Sequence, residues 1–178
     1  MSRKFFAVGV FTLLSGCGTP PSSAQTTSGC VATITGAVGA NNTLQGIQSG
    51  TASGDWSRAT GLIVVCATLS QALEVKVTGA SPNVGITYGV SSDPSATGNV
   101  ATVRYGESIK KSDGSSGHVT WRGTGGTVRI DAAGKDTVSF SFSGVTAVVD
   151  PDSSQNMATG TMNLAGSGRV NDVLGFTP

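Results

Sequence analysis

The amino-acid sequence predicts an all-β domain, an antiparallel β-sandwich or small barrel of about nine strands. Two observations support this fold class. Apolar residues recur at every second position over long stretches, as in 73–78, where Leu, Val and Val alternate with Glu, Lys and Thr. Clusters of Gly, Pro, Ser and Asp interrupt these stretches at short intervals. Alternation buries one face of a strand and leaves the other in water, and such clusters are typical of turns.

The individual strands follow from the same alternation. Further alternating stretches, in chain order, are 84–90, 118–122, 127–131 and 136–149, and the turn clusters are 81–83, 91–94, 112–114, 123–126, 133–135 and 150–154. Within 136–149 the apolar positions change from even to odd numbers at Gly144, which predicts a β-bulge or a sharp bend. The stretch 62–69 is almost entirely apolar and fits either a central strand or part of a short helix. Its β-branched residues favour the strand.

The composition is that of an exported β-rich chain. Only 12% of the 178 residues are charged, about half the usual share, whereas 26 are Gly. The formal net charge is +1, and it becomes −1 once Arg3 and Lys4 are removed with the predicted leader. Lys110 and Lys111 are the only adjacent basic pair in the remainder. Nucleic acids and anionic surfaces require clustered cations, so no nucleic-acid partner is predicted.

The N-terminus has the organisation of a secretory signal peptide. Arg3 and Lys4 precede an apolar stretch, 5–14, which is followed by small residues. As a helix this stretch would be about 15 Å long, whereas the hydrocarbon core of a bilayer measures about 30 Å. The segment is therefore predicted to direct export rather than to span a membrane.

The end of this leader has a more specific pattern. Leu14, Ser15, Gly16 and Cys17 are an aliphatic residue, a small residue, Gly and Cys in succession. This sequence resembles the lipobox of bacterial lipoproteins. The resemblance implies that 1–16 is removed, that the thiol of Cys17 carries a diacylglyceryl group, and that the new amino terminus is often acylated. The membrane is then a partner through this anchor. Gly18, where an Asp would retain a lipoprotein at the inner membrane, favours an outer-membrane address in a bacterium with two membranes.

The remainder divides into a tether and one domain. The segment 17–29 is uncharged and lacks an apolar pattern, so it is predicted to be the lipidated cysteine followed by a flexible tether. A single β-rich domain is expected over 30–178. With Cys17 assigned to lipid, Cys30 and Cys66 remain. An even number of cysteines in an exported chain predicts a disulfide, and two buried free thiols are the alternative.

A search for catalytic residues identifies none. His118 is the only histidine, and it alternates with the apolar Val119 and Trp121, which places it on the wet face of a strand. The sequence around Ser167 lacks the spacing and the strand–helix setting of a nucleophile elbow. One histidine and a cysteine pair supply too few ligands for zinc, and no cofactor is predicted.

Two weaker candidates concern binding. Asp150, Asp152 and Asn156 place two carboxylates and an amide at one loop, which makes a candidate calcium site, although Asp-Pro-Asp is also ordinary turn chemistry. Trp56, in the predicted loop 54–57, is the candidate for an exposed ligand contact. Two other large aromatic residues, Tyr88 and Trp121, share the phase of aliphatic neighbours and are expected in the core.

These features favour a non-enzymatic, lipid-anchored β-domain of the cell envelope with a binding or structural role. One alternative is an envelope hydrolase that acts on a glycan or a peptide, with catalytic residues scattered along the chain. A further alternative is a surface antigen or adhesin that binds another protein. A binding module would expose an apolar or aromatic patch around Trp56, whereas an enzyme would have a deep pocket with two convergent titratable groups.

Overall fold

The computed structural model of the chain describes residues 27–36, 38–39, 50–57, 61–78, 83–153 and 157–174. The signal peptide 1–16, Cys17, most of the tether and Asn156 lie outside these residues. The predictions of lipidation, of the tether and of a calcium ligand at Asn156 therefore remain predictions.

The described part of the chain is all-β, as the sequence predicts. Its strands are β1 (Gly29–Thr35), β2 (Val38–Gly39), β3 (Thr51–Ser57), β4 (Gly61–Ala67), β5 (Gln71–Val77), β6 (Thr87–Val90), β7 (Val100–Lys110), β8 (Ser116–Gly134), β9 (Thr137–Val149), β10 (Thr159–Val170) and β11 (Val173–Leu174). Nine of them have four residues or more, in agreement with the predicted number, and β2 and β11 are two-residue additions.

The strands form one mixed sheet that curves into a nearly closed barrel. The order of hydrogen-bonded neighbours is β1-β10-β9-β8-β6-β7-β5-β4-β3-β11, with β2 on β10 and an additional pairing of β8 with β7. Almost every pairing is antiparallel; only β6 with β7 and β11 with β3 are parallel among the described pairs. The barrel alternative is thus the correct one of the two predicted architectures.

The seam of the barrel lies between β1 and β3. Cys30 donates a hydrogen bond from its backbone N–H to the carbonyl of Gly50 at 3.2 Å and accepts one from the Gly50 N–H at 3.1 Å. The predicted disulfide is present and joins Cys30 on β1 to Cys66 on β4, with 6.0 Å between the two Cα atoms. Because β3 lies between β1 and β4 in this arrangement, the bond reaches across the seam. The two cysteines are therefore a covalent closure of the barrel.

The last described strand, β11, also packs against this seam. β11 pairs with β3 at Gly54, and a Cβ atom built on Gly54 would lie 3.4 Å from side-chain carbons of both Val170 and Val173. Val173 is completely buried. The small residue in β3 thus lets the C-terminal segment approach the barrel wall closely.

The interior of the barrel is filled by side chains. The inward positions alternate with outward ones along each strand, and the inward side chains form one hydrophobic cluster. The largest fully buried members are Trp121, Tyr105, Phe140, Leu62, Leu73, Ile130, Met162 and Leu164. The aromatic residues predicted in the core, Tyr88 and Trp121, are 3% and 0% exposed, and Tyr105, whose burial was not predicted, is 0% exposed. The interior is thus a packed core, as expected for a barrel of this size.

The segment 123–126 corrects one prediction. It was predicted as a turn, but it continues β8, which runs over 19 residues. Its glycines accommodate shifts in the pairing with β9, and Gly126 has a φ of 98°, which favours glycine. Before this segment β8 pairs with β7, and after it with β6. The glycines therefore mark the place where a bent strand changes neighbours.

The predicted irregularity at Gly144 is confirmed. Gly144 has a φ of 58°, and the register of β9 with β10 shifts at this point, between Leu164 and Gly166 of β10. Val138, Phe140 and Phe142 before the bulge and Val145 and Ala147 after it are all buried. The extra residue in β9 is what allows the apolar positions to change parity and still point inward.

The structure also shows the secondary structure of two other stretches, 62–69 and 84–90. The segment 62–69 forms most of β4, which ends at Ala67, so the strand alternative is correct and the helix is wrong. The stretch 84–90 is strand only from Thr87, and Val84 and Ile86 are exposed rather than on the buried face. Alternation extends there beyond the strand because the preceding turn happens to carry apolar residues at the same spacing.

Candidate functional site

A polar cleft lies on the outer surface of β5, β7 and β8, and we call it the outer cleft. It has a volume of about 300 Å³. It is lined by Glu74, Lys76, Thr78, Ser92, Asp93, Pro94, Ala96, Val100, Thr102, Arg104, Arg122 and Asp152. The strand residues among them alternate with inward core residues, so the packing of the core fixes which side chains face the cleft. The loop between β6 and β7 forms its other wall.

The most unusual feature of the outer cleft is a pair of arginines. Arg104 of β7 lies directly opposite Arg122 of β8 in the antiparallel register. Their side chains are 43% and 20% exposed. Like charges at directly opposite positions destabilise a sheet, because their Cβ atoms are only about 5 Å apart. The pair therefore needs compensating negative charge.

Asp150 supplies part of that charge from beneath the pair. Its carboxylate is 4% exposed and lies 3.4 Å from Nε of Arg104 and 4.0 Å from Nη1 of Arg122. The backbone N–H of Asp150 donates to the carbonyl of Thr120 at 3.0 Å, which continues the pairing of β9 with β8 into the turn that follows β9. The buried carboxylate thus lies close to both guanidinium groups and offsets part of their positive charge.

Asp152 supplies the rest from the outside. Its carboxylate is 65% exposed and lies 2.6 Å from Nη1 of Arg122, whereas the distance to Nη2 of Arg104 is 3.8 Å. Nε of Arg122 is buried and has no hydrogen-bond partner within the described part of the chain. The N–H donors of the two guanidinium groups are consequently only partly used. The carboxylate of Asp152 is their most exposed acceptor, so it is the one that another anion could most easily replace.

Negative side chains lie beside the arginine pair. Glu74 of β5 lies directly opposite Arg104. Asp93 lines the cleft from the loop, and the hydroxyl and backbone N–H of Ser95, which donate to its carboxylate at 2.6 and 2.8 Å, hold the pKa of Asp93 below its usual value. Both signs of charge thus border one small volume.

A second, shallower cleft of about 290 Å³ borders the hairpin between β4 and β5. Near it, Gln71 donates to the Tyr105 hydroxyl at 3.0 Å, and that hydroxyl donates to Glu107 at 3.2 Å. Burial, followed by the charge of Glu107, raises the pKa of Tyr105, and burial raises the pKa of Glu107. Leu69, at the hairpin, is 107% exposed. The residues that line this cleft include a single carboxyl group, that of Glu107, and no lysine or arginine, so it offers fewer charged groups for a polar ligand than the outer cleft.

His118 lies at the edge of this second cleft and is exposed, as predicted. Its Nε2 is 3.1 Å from Oγ of Ser153, and this hydroxyl is 3.5 Å from Oγ1 of Thr120. A hydrolytic triad also requires an acid that orients the imidazole. No hydrogen bond joins His118 to a carboxylate among the described residues. The pair links the turn after β9 to β8.

The sequence-predicted ligand contact, Trp56, has a different setting. It lies in β3 opposite Leu62, not in a loop, and it is half-buried against the core. Its position in β3 has the same phase as Ala52, which is buried. The Gly-Asp before it resembles a turn, but pairing with β4 extends the strand through it.

The candidate calcium loop is described in part. Asp150 and Asp152 do lie in one turn, where the N–H of Asp152 donates to the Asp150 carboxylate at 3.1 Å. Both carboxylates face Arg104 and Arg122. A cation would have to displace two guanidinium groups to bind there. Within the described segments, no three His, Cys, Asp or Glu residues are grouped as a metal site requires.

Sequence reasoning did not identify the outer cleft. Its charged residues come from three strands and two loops, and each looks like an ordinary outward residue in its own segment. The only available signal was the outward phase of Glu74, Lys76 and Arg122. The order of the strands, which brings these residues together, is not encoded in any local pattern.

Comparison with known proteins does not assign the chain to a family. The described segments contain no helix of the length and hydrophobicity that a membrane span requires. No protein-family model matches this chain, and it has no match among curated proteins or among solved structures.

Proposed function

We propose that the protein is an exported lipoprotein, anchored to the cell envelope through Cys17, and that its barrel is a non-catalytic binding module. The observation that carries the binding role is the outer cleft. In a chain of which only 12% is charged, seven charged side chains meet at this place: Glu74, Lys76, Asp93, Arg104, Arg122, Asp150 and Asp152. Such a concentration is more than solubility requires, and it offers specific polar contacts for a ligand.

The anchor rests on the sequence. Leu14 to Cys17 has the lipobox pattern at the end of an export leader. The disulfide between Cys30 and Cys66 supports export, because such bonds persist in oxidising compartments. Two or more acyl chains give durable membrane binding where one chain gives marginal binding. Gly18 favours the outer membrane if the bacterium has two.

The strand order supports access of ligands to the outer cleft. The tether joins the barrel at β1, and β7 is separated from β1 by several strands along both directions around the sheet. β7, which carries Arg104, is therefore in the wall opposite the attachment point. A ligand can reach this wall while the lipid holds the other side near the membrane.

The packed interior also favours an outer site. Trp121, Tyr105 and Phe140 occupy the inside of the barrel and are fully buried. A ligand inside the barrel would have to displace these side chains, which costs several kcal/mol for a large aromatic residue. Binding on the surface of β5, β7 and β8 leaves the core intact.

Metabolic labelling with radioactive palmitate tests the anchor. The wild-type chain is expected to incorporate label and to be cleaved before Cys17, whereas Cys17→Ser is expected to lose the label and to remain a precursor. Equal labelling of the two proteins would overturn the proposed anchor.

Nuclear magnetic resonance of the mature protein in detergent micelles tests the binding role. Soluble peptidoglycan fragments and a tryptic digest of envelope proteins are added separately, and amide shifts are expected around Glu74, Arg104 and Arg122. Mass spectrometry of the added fragments separates binding from hydrolysis. Cleavage products would support an envelope hydrolase instead, and shifts confined to other faces of the barrel would overturn the assignment of the outer cleft.

A further inference from the structure

We infer that the outer cleft binds a dipolar amino-acid head group, that is, an ammonium and a carboxylate attached to one carbon. This inference rests on the proposed binding function and specifies its ligand. It follows from the placement of Arg104, Arg122 and Glu74 on three adjacent strands and from the presence of both signs of charge around the cleft.

The carboxylate half of the ligand is assigned to the arginine pair. Guanidinium groups present several N–H donors in a plane and bind carboxylates through paired hydrogen bonds. Arg104 makes only long contacts, at 3.4 and 3.8 Å, with the two aspartates. The arginine is also 43% exposed, so its remaining donors are accessible. The register of β7 with β8 places the two arginines side by side before any ligand arrives, which lowers the entropic cost of binding.

Asp152 indicates where that carboxylate belongs. It is itself a carboxylate, 2.6 Å from Nη1 of Arg122, and it is 65% exposed on a turn. An exposed ion pair contributes at most about 1 kcal/mol, so a ligand carboxylate can compete with it. Asp152 thus occupies the ligand position in the free protein.

The ammonium half is assigned to the acidic side of the cleft. Glu74 is one strand away from Arg104, a distance of about 5 Å between neighbouring strands. Asp93 faces the same volume from the loop. A group that carries both charges on one carbon can therefore contact the guanidinium and the carboxylate at once.

The mixture of charges argues against ligands of a single sign. Three basic groups, Lys76, Arg104 and Arg122, and three carboxylates, Glu74, Asp93 and Asp152, line the cleft, and the carboxylate of Asp150 lies beside the arginine pair. A polyanion would meet the three carboxylates, and a polycation would meet the three basic groups. Electrostatic complementarity rejects both and admits a ligand that is itself neutral but dipolar.

Titration of the mature protein with alanine, propionate and ethylamine tests the inference. The three probes share a small apolar part and carry both charges, the carboxylate alone, or the ammonium alone. The chemical shifts of the backbone amides measure dissociation constants in the millimolar range, and a dissociation constant of that size is expected for so small a ligand. Alanine is expected to bind at least about tenfold more tightly than either single-charge probe and to shift the amides of β5, β7 and β8.

Substitutions locate the two halves of the site. Arg104→Gln and Glu74→Gln are each expected to weaken alanine binding about tenfold. Asp152→Asn is expected to strengthen it by about threefold, because the competing carboxylate is removed from Arg122. Arg129→Gln is the matched control, since Arg129 is a half-exposed arginine paired with Asp131 at 3.7 Å elsewhere on β8. The amide spectrum of each variant shows whether the barrel is folded.

The outcomes distinguish this inference from the proposed function. Propionate that binds as tightly as alanine would make the cleft a simple anion site, and equal binding of ethylamine would make it a cation site; either result overturns the inference. An equal loss of affinity in Arg129→Gln would assign the effect to net charge. If peptidoglycan fragments or peptides shift the cleft but alanine does not, the ligand class is wrong and the binding role stands. If no probe shifts the cleft, both fail.

Discussion

Reduction of the disulfide between Cys30 and Cys66 should lower the free energy of unfolding by an amount that depends on the length of the loop between the two cysteines. The two residues are 36 positions apart. Opening a loop of this length returns conformational entropy to the unfolded state that is worth about 4 kcal/mol at 25 °C in the chain-entropy treatment. The unfolding entropy of a domain of this size is about 0.3 kcal/mol per kelvin, so the midpoint of thermal unfolding should fall by about 13 °C.

The native state should change little on reduction. Cys30 and Cys66 are 2% and 1% exposed, so two thiols would remain packed in place. The hydrogen bonds between Cys30 and Gly50 also continue to join the seam. Urea unfolding of the mature protein with and without reductant measures the difference, and the amide spectrum reports the fold. A change below about 1 kcal/mol with the native spectrum retained would refute the entropic account of the bond.

Two further predictions concern packing and pH. Gly123→Ala should lower the free energy of unfolding by about 1–3 kcal/mol, because the added Cβ would lie 2.8 Å from Val90 and 3.2 Å from Val145. In the control Gly125→Ala the added Cβ meets no atom within 4 Å, so the free energy of unfolding measured in urea should change by less than about 0.5 kcal/mol. Equal losses in the two variants would contradict the packing argument. Because burial raises the pKa of Glu107, the folded state binds more protons than the unfolded state just above the usual value of 4.5, and this carboxyl makes stability fall as the pH rises through that range. Glu107→Gln should remove this fall from the pH dependence of the urea midpoint, and an unchanged pH profile would show that the carboxyl is not responsible.

The inward faces of the strands could be predicted from the sequence because they depend on local alternation. Val75, Val119 and Val128 are buried where the period of two places them. The bulge at Gly144 was also predictable, since a change of parity leaves a trace in the apolar positions. The segment 123–126 was not, because consecutive glycines are equally compatible with a turn and with a bent strand. Its pairing with β9, which is a long-range interaction, decides between them.

The candidate site could be predicted much less well. The turn at Asp150 was identified from its Asp and Pro residues, yet its carboxylates bind arginines instead of forming an evident metal loop. That outcome depends on β7 and β8 being neighbours, although β6 also pairs with both. Arg104 and Arg122 are outward residues in unremarkable segments. Only the register of the sheet shows that two positive charges are opposite each other.

The filled barrel also determines how freely this protein can diverge. Since the large buried side chains stabilise the fold from within, outward residues such as Glu74 and Arg104 contribute little to the packing of the core. Single substitutions at these positions can change the charge of the outer surface while the packing of the interior stays the same. Chains with this barrel and different outer surfaces would then resemble one another in their alternating apolar positions rather than in their outward residues. The same separation makes the outer wall a suitable place for engineered binding sites.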